Sequence, residues 1–154
     1  MVAANYVLCL DSDGQCDPKD FTKFWSTRSS ADISIGWRVH RADNLLRRTF
    51  SRFFYLLFQG VFRTPVHDPS CPFALFRREI AVTLADELGE MQEGFWWEFV
   101  ARAHRHKFTI LEIPVNHRLR SAGVTQVYRW QKMPGIFLRH TIALLKIWNQ
   151  TRTA

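Results

Sequence analysis

Acidic residues are missing from the last stretch of this 154-residue sequence: from His117 to Ala154 there are seven Lys or Arg and no Asp or Glu. Cysteine is scarce as well. Cys9, Cys16 and Cys71 form an odd set with no CxxC pair, and no Cys/His spacing matches a zinc site. That excludes a disulfide framework or a zinc module, and reduced thiols in a cytosolic protein are expected. Long apolar runs are absent. The longest, Phe53 to Phe58, is far too short to span a bilayer. Met1 opens almost directly into a strand pattern, so no secretory leader is expected. Repeats, linkers and low-complexity tracts are lacking too.

What the chain does have is apolar bulk and positive charge. Hydrophobic residues make up 47 %, with thirteen Phe and six Trp, enough to build a core. Aromatics in such number either fill that core or sit at a wet, apolar boundary, and core packing is the simpler reading. The net charge of +7 favours an anionic partner. The charge is unevenly placed. Asp11 to Asp20 holds four Asp against one Lys, whereas Gly36 to Arg63 holds six Arg against one Asp. An acidic pocket beside basic surfaces suits a site that holds both a cation and several phosphates.

Hydrophobic periodicity predicts alternating strands and helices. Tyr6 to Leu10 is a continuous apolar run, as in a strand buried on both faces. Asp17-Pro18 is a helix start, with the helix running to about Thr27. Ile33 to Val39 alternates as a strand, and about Asp43 to Phe62 follows the helical period. Phe73 to Phe76 is a short strand. Arg78 to Leu88 is a helix stopped by Gly89, Phe95 to His106 another helix, and Thr109 to Val115 a strand. Asn116 to Val127 reads as a loop, and Ile136 to Asn149 as an amphipathic, basic helix. The class is therefore α/β with a mixed sheet flanked by helices. The expected organisation is an α/β portion over residues 1–130, followed by a C-terminal amphipathic, basic helical segment over 131–154.

The chemistry is carried by Asp11-Ser12-Asp13-Gly14-Gln15, directly after the apolar strand. In an open α/β sheet, ligands bind beyond the carboxyl ends of strands. Two carboxylates and an amide oxygen at alternate positions can converge on one hard divalent cation, Mg²⁺ or Mn²⁺, which shares its ligands with substrate phosphates. The simpler alternative is an Asp-rich turn that caps the next helix.

A hydrophobic strand, a DxDxQ turn and an Asp-Pro helix start resemble family-2 glycosyltransferases, most of all dolichyl-phosphate mannose synthases and bacterial polyprenyl-phosphate sugar transferases. Further residues match in order. Gly36-Trp37-Arg38 resembles the family's G-x-R strand, and Arg47 with Ser51 its R-x-x-x-S helix. Asp68, Phe73 and Arg77 resemble D-x-x-x-x-F-x-x-x-R, and Glu112 to Val115 the E-V-P-I strand. Arg120 to Gln126 resembles R-x-x-G-x-S-K, with Gln126 where the family has Lys. The resemblance implies an incomplete GT-A (nucleotide-diphospho-sugar transferase) fold. It begins at the metal-binding strand, with the nucleotide-binding half outside this sequence, so the chain by itself is expected to be inactive.

By the same resemblance, the activity is metal-dependent inverting transfer from a GDP- or UDP-linked sugar to a polyprenyl phosphate, at the inner face of the cytoplasmic membrane. Asp11, Asp13 and Gln15 would hold the metal, with Asp13 central to catalysis. Arg38, Arg47 and Ser51 would bind the acceptor phosphate, since Arg47 and Ser51 lie one helical turn apart. Arg120 would close over the donor diphosphate. An anionic acceptor needs no strong base. A hydroxyl acceptor would need one, and Glu98 is the candidate; otherwise Glu98 is a buried carboxylate bonded to backbone.

The helices over Arg47 to Phe62 and from Ile136 mix aromatic and basic residues, as interfacial helices do, although ordinary amphipathic helices on a core look the same. A nucleic-acid module would also explain the positive charge, but no RNP, KH, zinc-finger or helix-turn-helix signature is present, and the acidic turn would repel a phosphate backbone. No nucleic-acid partner is therefore expected. A non-catalytic remnant of the fold is a third reading. His104 and His106, two apart on a helix, read as solvated side chains.

Overall fold

The computed structural model describes residues 4–39, 45–118 and 133–152, with the backbone alone at 45–47, 133 and 152. Four strands form one sheet: β1 (Tyr6–Cys9), β2 (Ile33–Arg38), β3 (Ala74–Arg77) and β4 (Ile110–Val115), in the spatial order β1-β3-β2-β4. β3 runs antiparallel to both β1 and β2, while β2 and β4 are parallel. β1, β2 and β4 therefore share one direction, and their carboxyl ends reach the same edge of the sheet as the start of β3. Five helices accompany the sheet among the described residues: α1 (Phe21–Ser26), α2 (Leu45–Phe62), α3 (Arg78–Leu84), α4 (Phe95–Arg105) and α5 (Met133–Arg152). The class is α/β with a mixed sheet flanked by helices, as the alternating pattern implies.

The differences from the sequence reading have local causes. The first predicted helix splits into a 3₁₀ turn over Pro18–Asp20 and the short α1. The Asp17 carboxylate caps the Lys19 N–H there, and Pro18 presets the backbone. α3 ends at Leu84 rather than Leu88. The chain continues in single turns, with the N–H groups of Glu87 and Leu88 both reaching the Leu84 carbonyl. Gly89 then reverses direction with φ +139°, a conformation that disfavours any side chain. β1 is not buried on both faces. Among the described residues it pairs with β3 alone, and Leu8 is 45 % exposed. Continuous apolarity thus marks a strand of central type that here lies at the sheet's edge.

Most of the aromatics fill the core. Phe24 stacks on Phe73 at 4.3 Å, and Phe54 and Phe58 both set their rings edge-on to Trp97. Phe24, Phe58, Phe73 and Phe99 are fully buried. Burying one such ring stabilises the fold by roughly 1.5–3 kcal/mol. α5 packs on α2 and α4, and its Ala143, Leu144 and Ile147 belong to the same core cluster as the strands. Trp97 is buried, Trp96 packs against the core, and neither stands at the acidic turn.

Gly36 explains itself sterically. A Cβ there would lie 2.7 Å from Cys71 Sγ and 3.3 Å from the Phe73 carbonyl, so the turn before β3 can approach β2 only because position 36 has no side chain.

Candidate active site at the carboxyl edge of the sheet

The acidic turn leaves the end of β1. Gly14 takes φ +73°, and the Asp13 carboxylate accepts the Gln15 N–H at 3.0 Å, which folds the turn on itself. Asp11 is exposed and Asp13 half-buried. Their charges act together on Cys16, and Asp11 also acts on Cys9, whose thiol is pushed up by burial and by that carboxylate.

The turn is fastened to the segment after β4. The Arg118 N–H donates to the Gln15 carbonyl at 2.8 Å, and Gln15 Nε2 donates to the Arg118 carbonyl at 3.3 Å. Cys16 bridges His117, and the Arg118 guanidinium pairs with Asp17. Asp20 accepts the Asn116 N–H at 3.0 Å and pairs with Lys23 at 2.7 Å. Burial alone would raise the Asp20 carboxyl, but the bonds from Lys23 and Asn116 hold it below the usual range.

Two carboxylates and an amide oxygen fit a hard cation. The Gln15 amide nitrogen is engaged by Arg118, so Oε1 is the atom of that side chain able to serve one. Among the described residues no group of three or more His, Cys, Asp or Glu comes together to hold a metal ion. A cation at this turn would take its remaining ligands from phosphate oxygens or water, as Mg²⁺ commonly does.

Arg38, expected to bind the acceptor phosphate, ends β2 at the same edge with its side chain turned inward. It is 8 % exposed. Its Nε and Nη2 donate to the two oxygens of Asp68, each at 2.7 Å, and its backbone N–H donates to Asp68 at 3.2 Å. Nη2 also meets Ser70 Oγ at 2.6 Å. A guanidinium clamped in this way is a fixed structural charge before any substrate arrives.

Glu98, the candidate base, is also turned inward. Its side chain is fully buried, and its oxygens accept from Arg102 Nε at 2.9 Å, the Met91 N–H at 2.9 Å and the Gly89 N–H at 3.2 Å. Arg102 in turn reaches Gln150 at 2.8 Å. An enclosed carboxylate with both oxygens engaged organises the α3–α4 loop and is poorly placed to take a proton from an acceptor. A cavity of about 740 Å³ beside Arg102 is lined by the α3–α4 loop and the ends of α4 and α5, and none of its lining residues comes from the acidic turn.

Ser51 is half-buried on α2, one turn beyond Arg47, whose side chain lies outside the described residues, as does all of Arg120. Arg120 stands two positions after Arg118, which is bonded to the acidic turn. The motif matches drew attention to Asp68 and Glu112 without placing either in the site. Both are at its edge, and the signal was there: a carboxylate within an apolar strand, and one in a tight DPSCP turn, each need donors.

Glycosyl transferase family 2 is the family whose sequence model matches this chain, over residues 1–84. That span takes in β1, the acidic turn, α1, β2, α2, β3 and α3. The mixed sheet flanked by helices is consistent with part of a GT-A fold. A match over more than half of the sequence, with the acidic turn at the carboxyl edge of such a sheet, makes the chain a member of glycosyl transferase family 2, a glycosyltransferase that takes a nucleotide-sugar donor.

Proposed function

We propose that the protein transfers a sugar, with inversion, from a GDP- or UDP-linked donor to a polyprenyl phosphate at a membrane surface, with Mg²⁺ or Mn²⁺ held at the acidic turn. Asp11, Asp13 and Gln15 Oε1 are the cation's ligands, Asp13 the one on which transfer depends most. The cation neutralises charge on the leaving nucleoside diphosphate. Arg120, two residues beyond the anchored Arg118, reaches the same diphosphate. Arg47 and Ser51, one turn apart on α2, receive the acceptor phosphate. Arg38 holds the strand end from which the chain leads to them.

One observation carries the choice of acceptor. Among the described residues, the carboxylates near this edge other than the proposed cation ligands are engaged: Asp17 by Arg118, Asp20 by Lys23 and Asn116, Asp68 by Arg38, Glu112 by His67. Glu98 is enclosed. A hydroxyl acceptor needs a base, for which none of these engaged carboxylates is well placed, whereas a phosphate arrives already ionised. The membrane part rests on the helices. Phe53 and Leu56 on α2 and Leu138, Ile142 and Leu145 on α5 are exposed, α2 and α5 carry no acidic residue, and Phe53 meets Phe137 where the two helices pack. Among the described residues no helix is long and apolar enough to cross a membrane. The proposed contact is peripheral, made by these exposed apolar faces at the cytoplasmic side where nucleotide sugars are present.

The test supplies the natively expressed protein with UDP- and GDP-linked sugars, Mn²⁺ or Mg²⁺, and either a short polyprenyl phosphate or a hydroxyl acceptor. Lipid-phosphate sugar should form and disappear with chelator. Transfer to the hydroxyl acceptor alone would overturn the acceptor assignment while leaving glycosyl transfer standing.

A further inference from the structure

Glu112 sits on β4, opposite Ile35 of β2, in an otherwise apolar strand. Its side chain is 11 % exposed. Oε1 accepts two consecutive backbone N–H groups, from His67 at 2.8 Å and Asp68 at 2.9 Å, and Oε2 meets His67 Nδ1 at 2.6 Å. The His67 ring also stacks on Trp37 of β2 at 5.1 Å. The turn these residues begin has no strand partner of its own for those amides, so the carboxylate takes the place of a ladder.

Asp68 is the next link. Held by its backbone, it clamps Arg38 through three donors and accepts the Ser70 hydroxyl at 3.0 Å. Arg38 is the third. Arg38 pairs in register with Val115 of β4, and just beyond Val115 the chain is fastened to the acidic turn, His117 bridging Cys16 and the Arg118 N–H donating to the Gln15 carbonyl, so the end of β2 and the turn flank the same segment. A line of direct contacts thus runs from β4 through the 67–70 turn to the end of β2, and stops beside the candidate metal turn.

We propose that Glu112 is a positioning residue for sugar transfer: by holding the backbone of His67 and Asp68 it sets Asp68, and through Asp68 the Arg38 guanidinium, against the Asp11–Asp13 turn. This rests on the reading of that turn as the donor-diphosphate site. The fixed cation balances the carboxylates of the turn before metal and phosphate enter, and it orients the strand end that leads into α2. Phosphate affinity therefore depends on a carboxylate that touches neither metal nor phosphate.

Two variants of this chain test it, Glu112→Gln and Asp68→Asn, each compared with the unaltered protein. Backbone hydrogen exchange is read at His67, Asp68 and Arg38, with Ile35 and Ile113 in the β2–β4 ladder as controls. Binding of Mn²⁺ with inorganic pyrophosphate is read by calorimetry. Glu112→Gln should speed exchange at all three positions by about tenfold, the equivalent of one lost hydrogen bond, and weaken pyrophosphate by a similar factor. Asp68→Asn should reproduce the effects at Arg38 and on pyrophosphate but leave His67 protected, because that amide bonds to Glu112. Unchanged exchange at Arg38 in Glu112→Gln would overturn the relay. Faster exchange at Arg38 with undiminished pyrophosphate affinity would reduce Glu112 to a purely structural role. If the unaltered chain does not bind pyrophosphate with Mn²⁺, the donor-site reading of the turn fails and takes the functional part of the proposal with it, while the exchange data still decide the relay.

Discussion

Two buried arginine–carboxylate pairs occupy different parts of this protein and do different work. Arg102 and Glu98 lie four residues apart on α4, inside the helical layer. Arg38 and Asp68 are thirty residues apart and join the end of β2 to the turn before β3. The first pair forms as its helix forms, and its spare acceptor capacity satisfies loop amides at Gly89 and Met91. The second exists only once distant segments have met, and it stands at the same edge of the sheet as the acidic turn. Burial of a charge therefore says little about function; what lies beside the pair says more.

That contrast can be broken most sharply at Glu98. Glu98→Ala leaves Arg102 buried without its partner and two loop amides without an acceptor, and should cost about 3–5 kcal/mol. The measurement is urea or thermal denaturation followed by circular dichroism. Transfer per folded molecule should survive Glu98→Gln in the natively expressed protein. A hundredfold loss at unchanged stability would return Glu98 to the role of base. Asp68→Asn should cost less, roughly 1–3 kcal/mol, because the neutral amide still accepts one bond from Arg38.

A smaller effect separates the helical layer from the sheet edge by pH. His140 on α5 is buried, its Nε2 has no hydrogen-bond partner, and Glu93 Oε2 stands 3.7 Å away. Burial holds its ring below the ordinary histidine range; Glu93 opposes that shift and Arg139 adds to it. The unfolded chain therefore takes up a proton near pH 6.5, before the folded one does. Stability should rise with pH through the window just below 6.5 and be lost as pH falls through it. Melting temperatures from pH 7.5 to 5 should show a flatter acid limb in His140→Leu, and an unchanged limb would exclude this ring as the cause.

The smallest change in stability belongs to Asp13→Ala. Asp13 accepts the Gln15 N–H within its own turn, so unfolding should shift by about 0.5–1 kcal/mol, less than for Glu98 or Asp68. Calorimetric binding of Mn²⁺ with a nucleoside diphosphate should nevertheless disappear. A variant that lost stability and kept the cation would make the turn a cap and nothing more.

The sequence by itself determined everything that depends on near neighbours. The helical period from Phe50 to Val61, the Asp17-Pro18 start, the reversal at Gly89 and the alternate spacing of Asp11, Asp13 and Gln15 are all properties of a few consecutive residues, and the family followed from their order. The four-residue spacing of Glu98 and Arg102 was equally visible, yet whether that carboxylate faced solvent or a loop was not, because Gly89, Met91 and Gln150 reach it only through packing. Arg38 was legible as a cation at a strand end. Its capture by Asp68, the hold of Glu112 on the 67–70 turn and the anchoring of the acidic turn by Arg118 were decided by the tertiary structure. Each depends on strands β1, β2 and β4 running in one direction, so that segments as far apart as 11–17, 67–70 and 116–118 arrive at one edge of the sheet. Pairing across such distances is set by burial and hydrogen-bond satisfaction over the whole fold, and no local pattern encodes it.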